Sequence, residues 1–157
     1  MNDLKRAFIF AKKINIPSIW GKLGRAQLNA HEVKEAIDSF IKANDYEIFI
    51  KANDYEMYHE VINEAEQQGK FEELIKFLTK ARNLKKDKFI DDELVYSLSR
   101  SNKLPELEAL LSQSNINDLN HIADRLFDEK FYEPAKIIYE NLGNNTRLAS
   151  CYVDLKN

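Results

Sequence analysis

Apolar residues recur along the chain at intervals of about thirty positions, in a pattern typical of helices. Four residues open the pattern, and each has an apolar residue ten positions before it and three and seven positions after it. The sixteen positions are Leu23, Val33, Ala36, Phe40, Val61, Phe71, Leu74, Leu78, Leu94, Leu104, Leu107, Leu111, Ile122, Tyr132, Ala135 and Tyr139. Offsets of zero, three and seven lie on one stripe of a helix. The pattern therefore predicts four helical hairpins, whose second helices begin with the opening residues.

Short polar turns separate the two helices of each predicted hairpin. Gly69 suits a left-handed helix C-cap, and Asn102 can adopt the same backbone less comfortably. Asp54 and Asn117 are typical N-cap residues. The predicted turns are residues 29–31, 67–70, 101–103 and 128–130.

A direct duplication lengthens one of the repeats. The sequence IKANDYEIF at 41–49 is followed by IKANDYEMY at 50–58. Nine residues rotate a helix by about 900°, which leaves it half a turn out of register. We therefore predict that one copy forms a short extra turn or bulge at Asn44-Asp45, and that the flanking hairpins keep their register. A single straight helix from Glu32 to Gln67 would contradict this.

The hairpins require neighbours, because each exposes an apolar face that only the next hairpin can cover. The offsets of a second helix recur near the start of the sequence, at Leu4, Ala7 and Ala11. Near its end, Leu148 lies at the position that marks the first helix of a further hairpin. We predict an all-α fold, a right-handed α–α superhelix or solenoid of about five stacked antiparallel hairpins and about ten helices. Residues 1–157 are expected to form a single segment, cut from a longer chain at both ends.

The composition supports this fold and excludes several classes of protein. The 157 residues include only seven Gly and Pro, four Val and two Thr, which disfavours β-sandwiches and barrels. A net charge of −3 provides no basic excess for binding nucleic acid. The longest apolar run, at 7–11, is far shorter than the roughly 20 residues of a membrane span, and no secretory signal is evident. We expect a soluble intracellular protein.

Candidate chemical residues are sparse. His31 and His59 each begin a zinc-binding H-E-x-x-H pattern, but Glu35 and Asn63 occupy the position of the second histidine. Cys151 has no partner for a disulfide or a CxxC motif, and we expect it in the core of the last helix. The sequence therefore predicts no catalytic residue, no metal ligand and no cofactor.

Charged clusters favour solvated surfaces over binding sites. Adjacent carboxylates at 72–73 and 91–92 lie on lysine-rich helices, where we expect solvated faces. The densest basic cluster could contact anionic lipid or RNA, but its position at a helix end favours a solvated turn between hairpins. That cluster comprises Lys80, Arg82, Lys85, Lys86 and Lys88.

Five segments of the chain resemble the clathrin heavy chain, in the order and spacing of that family's leg. They are PSIWGKLGRAQL at 17–28, VKEAIDSFIKAND at 33–45, FEELIKFLTKAR at 71–82, LPELEALL at 104–111 and DEKFYEPAKIIYENLGNNTRLAS at 128–150. The resemblance covers nearly the whole chain. It implies a run of about five helical hairpins that forms one stiff leg segment, around or just before the start of the proximal segment. The nine-residue duplication departs from the family pattern, which has this block once.

The resemblance also implies a function. It is that of a structural leg segment in the polyhedral coat of coated pits and vesicles, in endocytosis and intracellular transport, on the cytoplasmic side. The implied partners are other heavy-chain legs and the clathrin light chain, whose binding surface would lie mostly beyond Asn157. Contact with the membrane would be peripheral, through adaptors. An alternative is a peptide-binding or tethering solenoid of the vacuolar-sorting or tetratricopeptide kind, which should present a concave groove with ordered polar anchors.

Overall fold

The structure, a computed structural model, describes residues 2–43, 55–84, 86–113 and 118–156. These residues form ten α-helices and no β-strand, which confirms the predicted all-α fold. The helices are α1 (Asn2–Ile14), α2 (Pro17–Asn29), α3 (Val33–Ala43), α4 (Tyr55–Gln68), α5 (Phe71–Leu84), α6 (Lys88–Arg100), α7 (Leu104–Gln113), α8 (Asn120–Asp128), α9 (Tyr132–Leu142) and α10 (Asn145–Leu155). The chain divides into two compact units, Met1–Lys86 and Asp87–Asn157, and each is described by itself.

One type of turn closes the four hairpins α2–α3, α4–α5, α6–α7 and α8–α9. Two positions before each second helix's opening residue, the backbone is left-handed: φ is 63° at His31, 68° at Gly69, 55° at Asn102 and 69° at Lys130. The N–H of the next residue donates to the carbonyl five residues earlier, over 2.8–3.0 Å. This is the Schellman arrangement, which satisfies carbonyls at the end of the first helix. The prediction for Gly69 and Asn102 is confirmed, and two further residue types adopt the same turn.

In the first unit, α2 packs so closely on α3 that a side chain at Gly24 has no room. A Cβ atom built on Gly24 would lie 2.8 Å from two ring carbons of Phe40. Phe40 in turn lies 6.3 Å, between ring centroids, from Phe77 on α5, whose ring also meets Tyr58 on α4. The second helix of one hairpin therefore packs directly against the second helix of the next.

Helix α1 packs onto the first hairpin through its inner face. Ala11 is buried with Trp20, Leu23 and Ala43 in one cluster. The Trp20 indole N–H donates to the side-chain oxygen of Asn15 over 2.9 Å, and this bond satisfies the buried ring's polar group. These contacts fix α1 beside α2.

Some predictions fall outside the described residues. The proposed turn at Asn44-Asp45 and the N-caps Asp54 and Asn117 belong to this group. In the described part, α3 ends at Ala43 and α4 begins at Tyr55. The accommodation of the duplication therefore stays a prediction. Across the described helices, none is both long enough and apolar enough to cross a lipid bilayer.

Candidate functional site

The apolar repeat positions lie in the packed interior of the two units. Fourteen of the sixteen are buried, and Leu104 and Tyr132 are half-buried. Both exceptions are the first residue of a second helix. The ring of Tyr132 nevertheless meets the edge of Phe127, with centroids 5.1 Å apart. Fourteen of these side chains are therefore packed inside their own unit.

The residues with catalytic chemistry are dispersed. His31, His59 and His121 are exposed on separate elements, whereas Cys151 is completely buried. Burial raises the pKa of the Cys151 thiol, so the thiolate needed for nucleophilic attack is disfavoured. Within the described ranges, no group of three or more His, Cys, Asp or Glu side chains could hold a metal ion.

Two of the clustered carboxylates are less solvated than the sequence predicted. The side chains of Asp92 and Glu73 are only 17% and 15% exposed. Each is paired with a lysine of its own helix, Lys88 Nζ at 2.9 Å and Lys76 Nζ at 3.4 Å respectively. The expectation of a solvated face is therefore wrong for these two side chains. In the basic cluster, Lys86 and Lys88 are exposed, Lys80 and Arg82 are half-buried, and Lys85 lies outside the described residues.

In the first unit, polar pairs join the first helices of consecutive hairpins. Arg25 on α2 pairs with Glu60 on α4 over 3.3 Å. His31, in the turn after α2, lies with Nδ1 2.8 Å from Glu64 Oε1, and Gln68 donates to the His31 carbonyl over 2.9 Å. The hydrogen bond with His31 lowers the pKa of the Glu64 carboxyl. The pairs therefore connect positions that are one repeat apart along the chain.

The second unit repeats this arrangement with a denser cluster. The Tyr96 hydroxyl on α6 donates to Glu129, just after α8, over 2.7 Å, and accepts from Arg100 over 2.8 Å. Arg100 and Arg125 also donate to Glu129, over 3.1 and 3.0 Å. The Arg125 guanidinium lies 3.9 Å from the centroid of the Tyr96 ring. Burial raises the pKa of Tyr96 to about 12, so its hydroxyl stays protonated and can donate.

The same edge continues from α8 to α10. Tyr139 donates a hydrogen bond to Asp124, and Arg147 Nε lies 3.5 Å from the same carboxylate. Asn144, the N-cap of α10, donates to Asn120 over 3.1 Å. The apolar periodicity does not predict these polar residues. The signal that could have indicated them is the spacing of opposite charges: Arg100 and Glu129, for example, lie about one repeat apart in the sequence.

Each unit also has a surface depression. The one in the second unit holds about 170 Å³ between α6 and α8 and is lined in part by Tyr96, His121 and Arg125. That volume is below the range of about 300–1,000 Å³ typical of small-molecule sites. The one in the first unit holds about 540 Å³ beside α1. Neither depression contains a catalytic arrangement.

Comparison with known proteins agrees with this architecture. A family model described as "Region in Clathrin and VPS" matches residues 49–157. The chain is 39% identical over 155 residues to "Clathrin heavy chain" of Dictyostelium discoideum and 36% identical over 155 residues to "Clathrin heavy chain 2" of Homo sapiens. It is 33% identical over 156 residues to "Clathrin heavy chain 1" of Arabidopsis thaliana. Each alignment covers 99% of this chain and 9% of the relative's length. The resemblance inferred from the sequence is confirmed, and the chain belongs to the family of the region in clathrin and VPS.

Proposed function

We propose that this chain is a structural leg segment of a clathrin-type coat heavy chain. Its role is mechanical. The stacked hairpins keep the leg stiff, and the surface of the leg makes many weak contacts with other legs in a lattice. Because avidity rises steeply with the number of joined sites, weak contacts suit a coat that assembles and is later dismantled. The proposed location is the cytoplasmic face of coated pits and vesicles, with adaptors between coat and membrane. Other heavy-chain legs are the proposed partners, together with a light chain that binds mostly outside this segment.

The observation that carries the proposal is the pairing of consecutive hairpins one repeat apart. Within the first unit it consists of Arg25–Glu60 and His31–Glu64, and within the second it centres on Glu129. In a repeat protein, stability comes from such nearest-neighbour interfaces as well as from each repeat. Paired polar edges and interlocked apolar faces oppose the sliding of one hairpin past the next, which is what a stiff leg requires.

We further propose that the two units belong to one run of repeats. The family match begins at residue 49 and continues to 157, so it extends across the boundary between Lys86 and Asp87. The apolar spacing also continues over this boundary, with 33 residues from Phe71 to Leu104. Both features support a single repeat segment at the level of the sequence.

A segment exchange tests the coat role. The matching 155 residues of the Dictyostelium discoideum heavy chain are replaced by this chain, and the purified protein is assayed for cages by pelleting and electron microscopy. The matched control carries Phe77→Asp, which places a charge at a side chain with no exposed surface.

We expect cages from the exchanged chain and few or none from the control. An exchanged chain that is helical and trimeric yet never forms cages would overturn the proposal. That result would favour the peptide-binding or tethering alternative.

A further inference from the structure

The outward side of helix α1 carries four cations around one apolar residue. Because each residue rotates a helix by about 100°, two cations lie within about 60° of Ile9 on each side of it. The four cations, all with exposed side chains, are Lys5, Arg6, Lys12 and Lys13. Ile9 itself is 66% exposed. The opposite side of the helix is the one that packs, because Ala11 lies fully buried in the α1–α2 cluster.

The positive charge of α1 is not neutralised within the helix. Asp3 is its one acidic residue, so four positive charges and one negative charge give the helix a net charge of +3. Among the described residues, none of the four cations takes part in an ion pair. Glu32 and Glu35 line the groove on the Phe8 side of the helix, beside its outward side. The outward side is therefore complementary to an anionic partner.

The exposed apolar side chains of α1 point in several directions. Phe8, Ile9 and Phe10 are 38%, 66% and 52% exposed, respectively. Because consecutive residues are about 100° apart, these three side chains span about 200° of the helix circumference. A partner helix packs against a stripe about 100° wide, so one rigid helix would leave part of this arc in water. The fluid interface of a lipid bilayer surrounds more of a helix that lies in it. The distribution therefore favours a bilayer over a protein helix.

We propose that α1 binds the surface of an anionic lipid bilayer and lies parallel to it. Its four cations contact lipid phosphate groups, and Ile9 and Phe10 enter the boundary between headgroups and acyl chains. Basic helices that also expose apolar side chains bind membrane surfaces in this way. Each basic residue near an anionic surface strengthens the binding by about fivefold. The inference goes beyond the proposed coat role and does not depend on it.

The first test is flotation of the full 157-residue chain with lipid vesicles. The chain should float with vesicles of mixed phosphatidylcholine and phosphatidylserine, but not with phosphatidylcholine alone, and salt should weaken the binding. K12E/K13E should weaken it by about tenfold or more. The matched control K70E/K86E changes the net charge equally, at two exposed lysines outside α1, and should bind like the parent. Far-UV circular dichroism establishes that each variant is folded. A chain that does not bind the mixed vesicles, or equal losses in the two double variants, would overturn the proposal.

A fluorescent label tests the position of Ile9 in the bilayer. An Ile9→Cys variant is labelled with an environment-sensitive dye, and Cys151 stays unlabelled because it is completely buried in the folded chain. The emission of the label should shift to shorter wavelength when the mixed vesicles are added. The matched control is Val153→Cys on α10, since Val153 is 62% exposed, and its label should not shift. An unshifted label at position 9, or equal shifts at both positions, would contradict the proposal.

Discussion

Replacing Gly24 by alanine tests the close packing of α2 on α3. In an exposed helix interior this change stabilises a protein by about 1 kcal/mol, because glycine is the weaker helix former. Here the added methyl group would lie 2.8 Å from the Phe40 ring, well inside van der Waals contact. Phe40 is 1% exposed and cannot rotate into solvent. The ring or the helix must therefore shift.

The expected net effect is destabilisation. Overpacking a well-filled core costs about 1–3 kcal/mol, which outweighs the gain of about 1 kcal/mol in helix propensity. We expect Gly24→Ala to lower the free energy of unfolding of the first unit by about 1 kcal/mol. Trp20 is the chain's one tryptophan and is buried in the same unit, so its fluorescence during urea unfolding reports on this region.

A second background separates the two opposing effects. Phe40→Leu removes the ring that the new methyl group would meet. In the Phe40→Leu background, Gly24→Ala should become neutral or stabilising, because only the propensity gain remains. If Gly24→Ala stabilises the parent chain by about 1 kcal/mol, the close approach of α2 and α3 is refuted.

Three further predictions concern the effect of side-chain changes on stability. Ser39→Ala removes the 2.6 Å hydrogen bond to Gln27 between two buried side chains, and should cost about 1–3 kcal/mol in urea unfolding. A Q27L/S39A double variant should lose much less stability, because neither buried polar group is left without its partner. Equal losses of stability in the single and double variants would contradict the role of this bond. Lys130→Gly should stabilise the chain by about 0.5–1 kcal/mol, because φ is 69° there, whereas Gly69→Ala should destabilise it by a similar amount. Thermal unfolding followed by circular dichroism measures both changes in stability. If Lys130→Gly destabilised the chain and Gly69→Ala stabilised it, the shared turn would be refuted. Burial raises the pKa of Tyr96 to about 12, above the ordinary value of about 10. The protonated Tyr96 hydroxyl therefore contributes its full stability below about pH 10, and this contribution is lost as the pH rises through about 12. Tyr96→Phe should lose less stability than the parent between these pH values in urea titrations, and identical losses would contradict the assignment.

The spacing of apolar residues was enough to predict the hairpins. Helix α2 ends at Asn29 and α3 begins at Val33, on either side of the predicted turn at 29–31. The other three predicted turns coincide equally well with the gaps between helices. Spacing succeeds here because each hairpin must bury its stripe against its neighbours, and burial depends on periodicity more than on residue identity.

The turns were less predictable than the helices. Gly69 and Asn102 are residue types that tolerate a left-handed backbone, but His31 and Lys130 adopt it as well. A β-carbon disfavours this backbone by about 1–2 kcal/mol, so local preference argued against both residues. The two hydrogen bonds of the Schellman turn and the packing of the flanking helices outweigh that preference.

Features that depend on contact between distant residues could not be read from periodicity. Tyr96 and Glu129 are 33 positions apart, and their hydrogen bond requires the hairpins to be stacked first. The exposure of Ile9 and Phe10 on α1 was also not predicted, because both residues belong to an apolar run that extends to the buried Ala11. Only the structure separates the covered side of that helix from the exposed one.

Stacking of consecutive hairpins is most directly tested by a double-mutant cycle between Phe40 and Phe77. These side chains lie on the second helices of adjacent hairpins, with ring centroids 6.3 Å apart and both rings buried. Unfolding free energies of F40L, F77L and the double variant, followed by Trp20 fluorescence, give the coupling energy. Direct packing predicts a coupling of about 0.5–1.5 kcal/mol. Losses that add to within about 0.3 kcal/mol would show that the two hairpins do not pack on each other, and would contradict the stacked arrangement.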